Sequence, residues 1–138
     1  MKKALKVLAF VLTFVMLALA LTSCAPKKDP DKAVDALKAK EYTAVKSDYL
    51  GALGLAALGI KGVDSVVTGT KVVEKGDEKK TESVTVIYFS SKDAANDAWE
   101  KVEGYAKEQN KDKDTDWQIK KSGKMIYFGT KAAIKAAS

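Results

Sequence analysis

The sequence lacks histidine and arginine, and it contains a single cysteine, Cys24. Without histidine, Ser-His and Cys-His catalytic pairs and the common zinc-ligand sets cannot be assembled, and one cysteine forms no disulfide within the chain. Without arginine there is no guanidinium fork for phosphate or guanine, so nucleic-acid binding is not expected. Neither Ser-x-x-Lys nor Gly-x-Ser-x-Gly is present. We therefore expect no catalytic residues, no metal and no cofactor.

The longest apolar run lies near the N-terminus, at residues 7–21, behind three lysines and interrupted only by Thr13. It is shorter than the roughly 20 apolar residues that a membrane-spanning helix needs. Pro26 and a lysine pair follow it closely, and proline does not continue a helix. A cationic start, a short apolar stretch and small residues at its end are typical of a cleaved export signal.

The residues Leu21-Thr22-Ser23-Cys24 close this run and resemble the lipobox of bacterial lipoproteins. The resemblance covers only the first 24 residues. It implies that the Cys24 thiol receives a diacylglycerol, that residues 1–23 are removed as a signal peptide, and that Cys24 becomes the first residue of the mature protein. Two acyl chains, such as palmitate, hold a protein stably on a membrane. We therefore expect an exported protein, lipid-anchored to a bacterial membrane, with its domain outside the cytoplasm.

Removal of the leader would leave 115 residues with 21 lysines and 18 acidic residues, a net charge of +3. Residues 24–30 are expected to form the lipidated cysteine and a short polar tether with no apolar content to pack. A chain of the remaining length can bury one core without disulfides. We therefore expect residues 31–138 to form a single α+β domain.

The first half of this domain alternates helix and strand signals. Asp29-Pro30 is an N-cap followed by proline at the first helical position, which predicts a helix ending near Lys40. A short strand is predicted at residues 42–47. A second helix is predicted at residues 48–60, where apolar residues are punctuated by glycines.

The second half contains two hairpin signals on either side of the clearest helix. Strands at residues 66–74 and 82–90 flank a predicted turn at Gly76-Asp77. A helix capped by Ser90 or Ser91 follows, because apolar residues between positions 95 and 106 recur at helical spacing.

The chain then forms the second hairpin, at residues 116–121 and 124–129, around a turn at Ser122-Gly123. Thr130 is the predicted cap of a last short helix at residues 131–137. From residue 42 onward the order of elements predicts a ferredoxin-like βαββαβ core, with an added N-terminal helix and a C-terminal hairpin strand and helix.

Two strands are apolar on both faces, although only one face needs to lie beneath helices. If Ile87, Phe89, Ile126 and Phe128 face the core, the opposite set would form an apolar, tyrosine-bearing surface for a protein or peptide partner. The alternative is that the first or last helix covers this second face. The candidate partner-binding residues are Val84, Val86, Tyr88, Met125 and Tyr127.

A second candidate surface is the set of lysines around the second hairpin and the C-terminus. Lysines near an anionic surface attract lipid headgroups or acidic wall polymers, whereas lysines on a solvent face also protect edge strands from aggregation. The candidate contact residues are Lys120, Lys121, Lys124, Lys131 and Lys135.

Two further segments have features of a binding site. Residues 112–116 carry three alternating aspartates, but Trp117 and Gly123 stand where a calcium loop requires glycine and glutamate, so a solvated loop is the better interpretation. The glycine-rich residues 49–60 are interpreted as a buried helix or, alternatively, as one wall of a small pocket that also uses Tyr42, Tyr49 and Asp48.

These features predict a non-catalytic, membrane-anchored lipoprotein that binds an envelope protein, a peptide or a wall component. The alternative is a lipid-anchored solute-binding or enzyme-accessory domain with a small pocket near the glycine-rich helix. A deep pocket with convergent polar groups would favour the second, and a flat apolar sheet face the first. The oligomeric state does not follow from the sequence.

Overall fold

The computed structural model describes residues 25–48, 54–110 and 117–138, which form a mixed α/β structure around a five-stranded antiparallel sheet. Residues 54–57 are also helical. The other helices are α1 (Pro30–Ala39), α2 (Lys92–Gln109) and α3 (Lys131–Ala136), and the strands are β1 (Thr43–Ser47), β2 (Val63–Lys75), β3 (Glu78–Phe89), β4 (Trp117–Ser122) and β5 (Met125–Thr130).

The two longer helices begin where their capping residues predict. The Asp29 side chain accepts a 2.9 Å hydrogen bond from the Asp31 amide, and Pro30 occupies the first turn of α1. The Ser91 hydroxyl accepts a 3.1 Å hydrogen bond from the Ala94 amide at the start of α2. Each cap satisfies an amide that has no partner within the helix.

Both predicted hairpins are present. β2 and β3 pair through a turn at Gly76-Asp77, where Gly76 has φ +63°. β4 and β5 pair through a two-residue turn at Gly123-Lys124, one residue later than predicted, because Ser122 pairs with Met125 and Gly123 takes the positive φ of +59°. The strand order is β1-β2-β3-β5-β4.

The predicted ferredoxin-like order of strands is wrong. A split βαβ unit would run β1 and β2 in the same direction with another strand between them. Here β1 and β2 are antiparallel neighbours, and Ser47 pairs with Val66. The connection between them therefore returns to the sheet at the end where β1 stopped, and it does not cross over.

The sheet carries apolar side chains on both faces, and each face has its own core. On the first, called here the helix-pair face, Ala33 and Leu37 of α1 and Ala133 and Ile134 of α3 pack over the sheet. On the second, called the long-helix face, α2 packs together with Leu55 and Ile60. The buried residues on this second face are Leu55, Ile60, Val66, Ile87, Phe89, Ala95, Ala98, Val102, Ala106, Ile126 and Phe128.

The predicted partner-binding surface is buried by the protein's own helices, so the prediction is wrong and the alternative interpretation holds. Each of its side chains is at most 5 % exposed. Their apolar area is already removed from water by α1 and α3, which leaves no surface there for a partner. The residues concerned are Val84, Val86, Tyr88, Met125 and Tyr127, all in the core of the helix-pair face.

The antiparallel strands give the domain two distinct ends. One end is called here the tether end, because Lys27 is hydrogen-bonded there to Tyr88 and Ala137. At this end β4 stops at Ser122, β5 starts at Met125 and β3 stops at Phe89. At the far end, β4 starts at Trp117 opposite Thr130 of β5. α2 starts at the tether end and finishes at the far end, and the β2–β3 hairpin extends beyond its neighbours on the far side.

Within residues 25–48, 54–110 and 117–138, no helix is both long and apolar enough to span a membrane.

Candidate functional site

The segment that joins Cys24 to the domain is packed against the fold. Pro26 is buried, and Ala25 packs against the core of the helix-pair face. The Lys27 amide donates a 2.9 Å hydrogen bond to the Ala137 carbonyl, and the Lys27 carbonyl accepts a 2.7 Å hydrogen bond from the Tyr88 hydroxyl. The expectation of a short polar tether with no apolar content to pack is therefore wrong, because Ala25 and Pro26 pack against the fold. Cys24 itself lies outside the described residues.

Tyr88 is the residue that holds this segment from the sheet side. Its side chain is 5 % exposed, and burial, together with the nearby charge of Asp29, raises the pKa of the phenol well above its ordinary value of 10.0. The hydroxyl therefore stays protonated and remains a hydrogen-bond donor throughout the physiological range. The tether contact is consequently insensitive to pH changes near neutrality.

The five lysines predicted to contact an anionic surface lie in different parts of the structure. Lys124 is in the turn at the tether end and lines the same cavity as Lys28. Lys121 donates a hydrogen bond to the Asn96 side chain and lies over the Trp99 ring on the long-helix face. The other three are exposed: Lys120 lies on β4, and Lys131 and Lys135 lie in the first and last turns of α3.

A groove of about 570 Å³ lies on the long-helix face, where α2 leaves the sheet uncovered. One wall is formed by Leu55 and Leu58 of the glycine-rich segment, and the other by Tyr105 and Gln109 in the last turns of α2. Residues 49–53 and 111–116, which adjoin these walls in sequence, lie outside the described residues. The sheet itself forms the floor, with Val66, Thr68, Ser83, Thr85, Ile87, Trp117, Phe128 and Gly129.

The polar groups of the groove are uncharged. Thr68, Ser83 and Thr85 place three hydroxyls on the floor, and Gln109 adds an amide at the wall. Thr68 and Thr85 are cross-strand partners on β2 and β3, so their side chains lie on the same face of the sheet. No charged side chain is among the described residues that line the groove.

An aromatic group lies at the far end of the groove. Phe128 contacts Trp117, with ring centroids 5.9 Å apart, and Tyr105, edge to face at 6.2 Å. Both arrangements are favourable for aromatic pairs and hold the Trp117 ring at the groove wall. Trp117 and Tyr105 are only partly buried. Their remaining surface is therefore open to a ligand.

Of the pocket residues named from the sequence, Tyr42 and Asp48 do not line this groove, although described residues of the glycine-rich segment do. The Tyr42 hydroxyl donates a 2.7 Å hydrogen bond to Glu82 on the helix-pair face, and burial and this contact raise the pKa of Tyr42. Asp48 is exposed, with its carboxylate 3.9 Å from the Lys46 ammonium. Tyr49 lies outside the described residues.

Thr68, Ser83, Thr85 and Gln109 were not among the site residues predicted from the sequence. A signal for three of them was present, because small hydroxyl residues alternate along β2 and β3 on one face, where a covered strand would carry larger apolar side chains. The alternation along the strands does not indicate which segments cover the long-helix face and which leave it open.

In the part of the chain that the structure describes, no three acidic or cysteine side chains cluster in a way that could hold a metal ion. The groove offers hydroxyls, one amide and aromatic surface. Comparison with protein-family models, with curated proteins and with solved structures finds no match to this chain.

Proposed function

We propose that the protein is a non-catalytic lipoprotein, anchored through Cys24 to the outer side of a bacterial membrane, whose domain binds an uncharged envelope ligand in the groove of the long-helix face. Of the two functions weighed from the sequence, this is the lipid-anchored binding domain with a pocket beside the glycine-rich segment. One observation supports this choice over the other. The groove has polar side chains at an accessible surface, whereas the sheet face that was the other candidate is buried beneath α1 and α3.

The anchor and the groove lie at different places along the sheet. The tether is held next to Tyr88, which pairs with Met125, and the groove reaches Gly129, which pairs with Val84. Four residues of strand, about 13 Å at 3.3 Å per residue, separate Tyr88 from the far limit of the groove. The nearest floor residue, Ile87, lies on the opposite face of the sheet from Tyr88. A ligand outside the membrane can therefore reach the groove without passing the anchored end.

The ligand class follows from the lining. Aromatic and aliphatic side chains favour a ligand with an apolar face, and three hydroxyls with one amide favour neutral hydrogen-bonding groups. A charged ligand would lose its hydration without gaining an ionic partner among the described lining residues. A neutral segment of wall glycan has the required combination of apolar ring faces and hydroxyl groups.

The anchor is tested by mass spectrometry of the protein purified from its own membrane. The expected N-terminal fragment begins at Cys24 and carries two ester-linked acyl chains. Its amino group is either free or carries a further acyl chain. Cys24→Ser should leave the protein without lipid. An unmodified thiol on the native protein would contradict the proposal.

The groove is tested with neutral wall-glycan fragments as probes, by isothermal titration calorimetry of the wild type and of each variant. Binding should be weakened at least about tenfold by Trp117→Ala or by Thr85→Val, since each removes a contact of the order of 1.4 kcal/mol.

The matched control is Thr81→Val, the same change on the same face of β3 but outside the groove lining. It should leave the affinity unchanged. If Thr85→Val and Thr81→Val behave alike, or if no neutral glycan binds, the groove is not the binding site proposed.

A further inference from the structure

We propose that the tether end of the domain is a membrane-contact surface, on which Lys27, Lys28 and Lys124 meet the phosphate groups of anionic phospholipids. This inference rests on the lipid anchor of the proposed function. It adds a fixed orientation, which an anchor on a flexible linker would not impose.

The chain leaves almost no slack between lipid and domain. Cys24 is joined directly to Ala25, and consecutive Cα atoms are 3.8 Å apart. Ala25 already packs against the core, Pro26 is buried, and Lys27 is hydrogen-bonded through both its amide and its carbonyl. A free linker of six residues could instead span about 20 Å. The surface around Ala25 must therefore lie at the level of the headgroups.

Two adjoining cavities lie at this surface. One of about 380 Å³ is lined by the tether and Ser138, and one of about 590 Å³ is lined by Asp64 and Lys124. The two share Lys28, Ser122 and Met125 as lining residues. Headgroups next to the anchor would therefore meet lysine and serine side chains there.

The charge at this end complements an anionic surface. Lys27, Lys28 and Lys124 are exposed, and no salt bridge joins them to an acidic side chain within the described ranges. Asp64 lies in the larger cavity, and the Asp29 carboxylate, which caps α1, keeps its negative charge. The three lysines therefore outnumber these two acidic groups. Attraction between exposed charges acts over about 8 Å at physiological salt. The anchored surface lies at the level of the headgroups and is therefore within this distance of their phosphates.

The experiment uses the full-length lipidated protein in vesicles that contain phosphatidylglycerol and a lipid with a nitroxide on its headgroup. Since Cys24 is the only cysteine and its sulfur carries the lipid, a fluorophore attaches only to a newly introduced thiol. Ser138→Cys reports on the tether end, and Asp77→Cys reports on the turn of the hairpin at the far end. Nitroxide quenching should be several-fold stronger for the label at position 138.

Charge is tested with two matched pairs of substitutions. Lys28→Gln with Lys124→Gln should lower the quenching at position 138, as should raising the salt concentration. Lys38→Gln with Lys131→Gln removes the same charge from exposed far-end positions and should have no effect. Equal quenching at positions 138 and 77 would overturn the orientation, and no effect of the tether-end pair would overturn the lysine contact.

Flotation with the vesicles separates this inference from the anchor on which it depends. Protein that floats but shows no orientation refutes the contact surface alone. Protein that fails to float refutes the lipid anchor.

Discussion

The Tyr88 hydroxyl donates a 2.7 Å hydrogen bond to the carbonyl oxygen of Lys27, 61 residues earlier in the chain. The Lys27 amide in turn donates to the carbonyl of Ala137. The residues that follow the proposed anchor are thus held by the third strand and by the end of the last helix. What looks like a linker in the sequence is part of the folded domain.

Tyr88→Phe should loosen the tether without unfolding the domain. Removing one partially buried hydrogen bond is expected to lower the free energy of unfolding by about 0.5–1.5 kcal/mol. Hydrogen exchange should become faster at the Lys27 amide. Tyr42→Phe is the matched control, because it removes the hydrogen bond to Glu82 elsewhere on the same face and should leave exchange at Lys27 unchanged. Unchanged exchange at Lys27 in Tyr88→Phe would contradict the contact.

Stability should fall at alkaline pH. The pKa values of Tyr42 and Tyr88 are raised above the ordinary 10.0, mainly by burial, so above pH 10 the unfolded chain loses protons that the folded chain retains. The stabilisation is complete below pH 10 and decreases as the pH rises further. Thermal unfolding between pH 8 and pH 11 should show a smaller decrease in the Tyr42→Phe, Tyr88→Phe double variant than in the wild type. Parallel decreases in both proteins would contradict the prediction.

Met125→Ala should be strongly destabilising, since Met125 is 3 % exposed beneath the helices of the helix-pair face. Truncation of such a side chain typically costs about 2–5 kcal/mol. Val45→Ala, at a site that is 53 % exposed, should change stability by no more than about 0.5 kcal/mol. Urea denaturation measures both. A neutral Met125→Ala would indicate that this face is not covered as described.

Gly129→Ala should be the most damaging of the glycine substitutions. Gly129 has φ +144°, and an added Cβ would lie 2.1 Å from the Ser83 carbonyl oxygen of the neighbouring strand. We expect a loss of about 3 kcal/mol or more from backbone strain and this overlap. Gly123→Ala, at φ +59° with open space around the Cβ position, should cost only about 1 kcal/mol. Similar unfolding midpoints for the two variants would contradict the close approach of β3 and β5.

The candidate site was only partly predictable from the sequence. Part of the glycine-rich segment lines the groove. Tyr42 and Asp48 do not, because β1 pairs with β2 at the edge of the sheet and Tyr42 lies on the helix-pair face. The hydroxyls of Thr68 and Thr85 come from strands that meet across the sheet. Their convergence depends on the register, which a pattern along one strand does not contain.

Local structure was determined by the sequence alone. Asp29-Pro30 and Ser91 set helix starts, Gly76-Asp77 sets the first turn, and alternating apolar residues set the strands, because caps, turns and alternation involve residues that are close in the chain. The tertiary structure alone decided the strand order, the covering of the helix-pair face by α1 and α3, and the attachment of the tether to Tyr88. Each of these joins residues far apart in sequence, where the same apolar pattern is compatible with several packings until one of them removes most of both faces of the sheet from water.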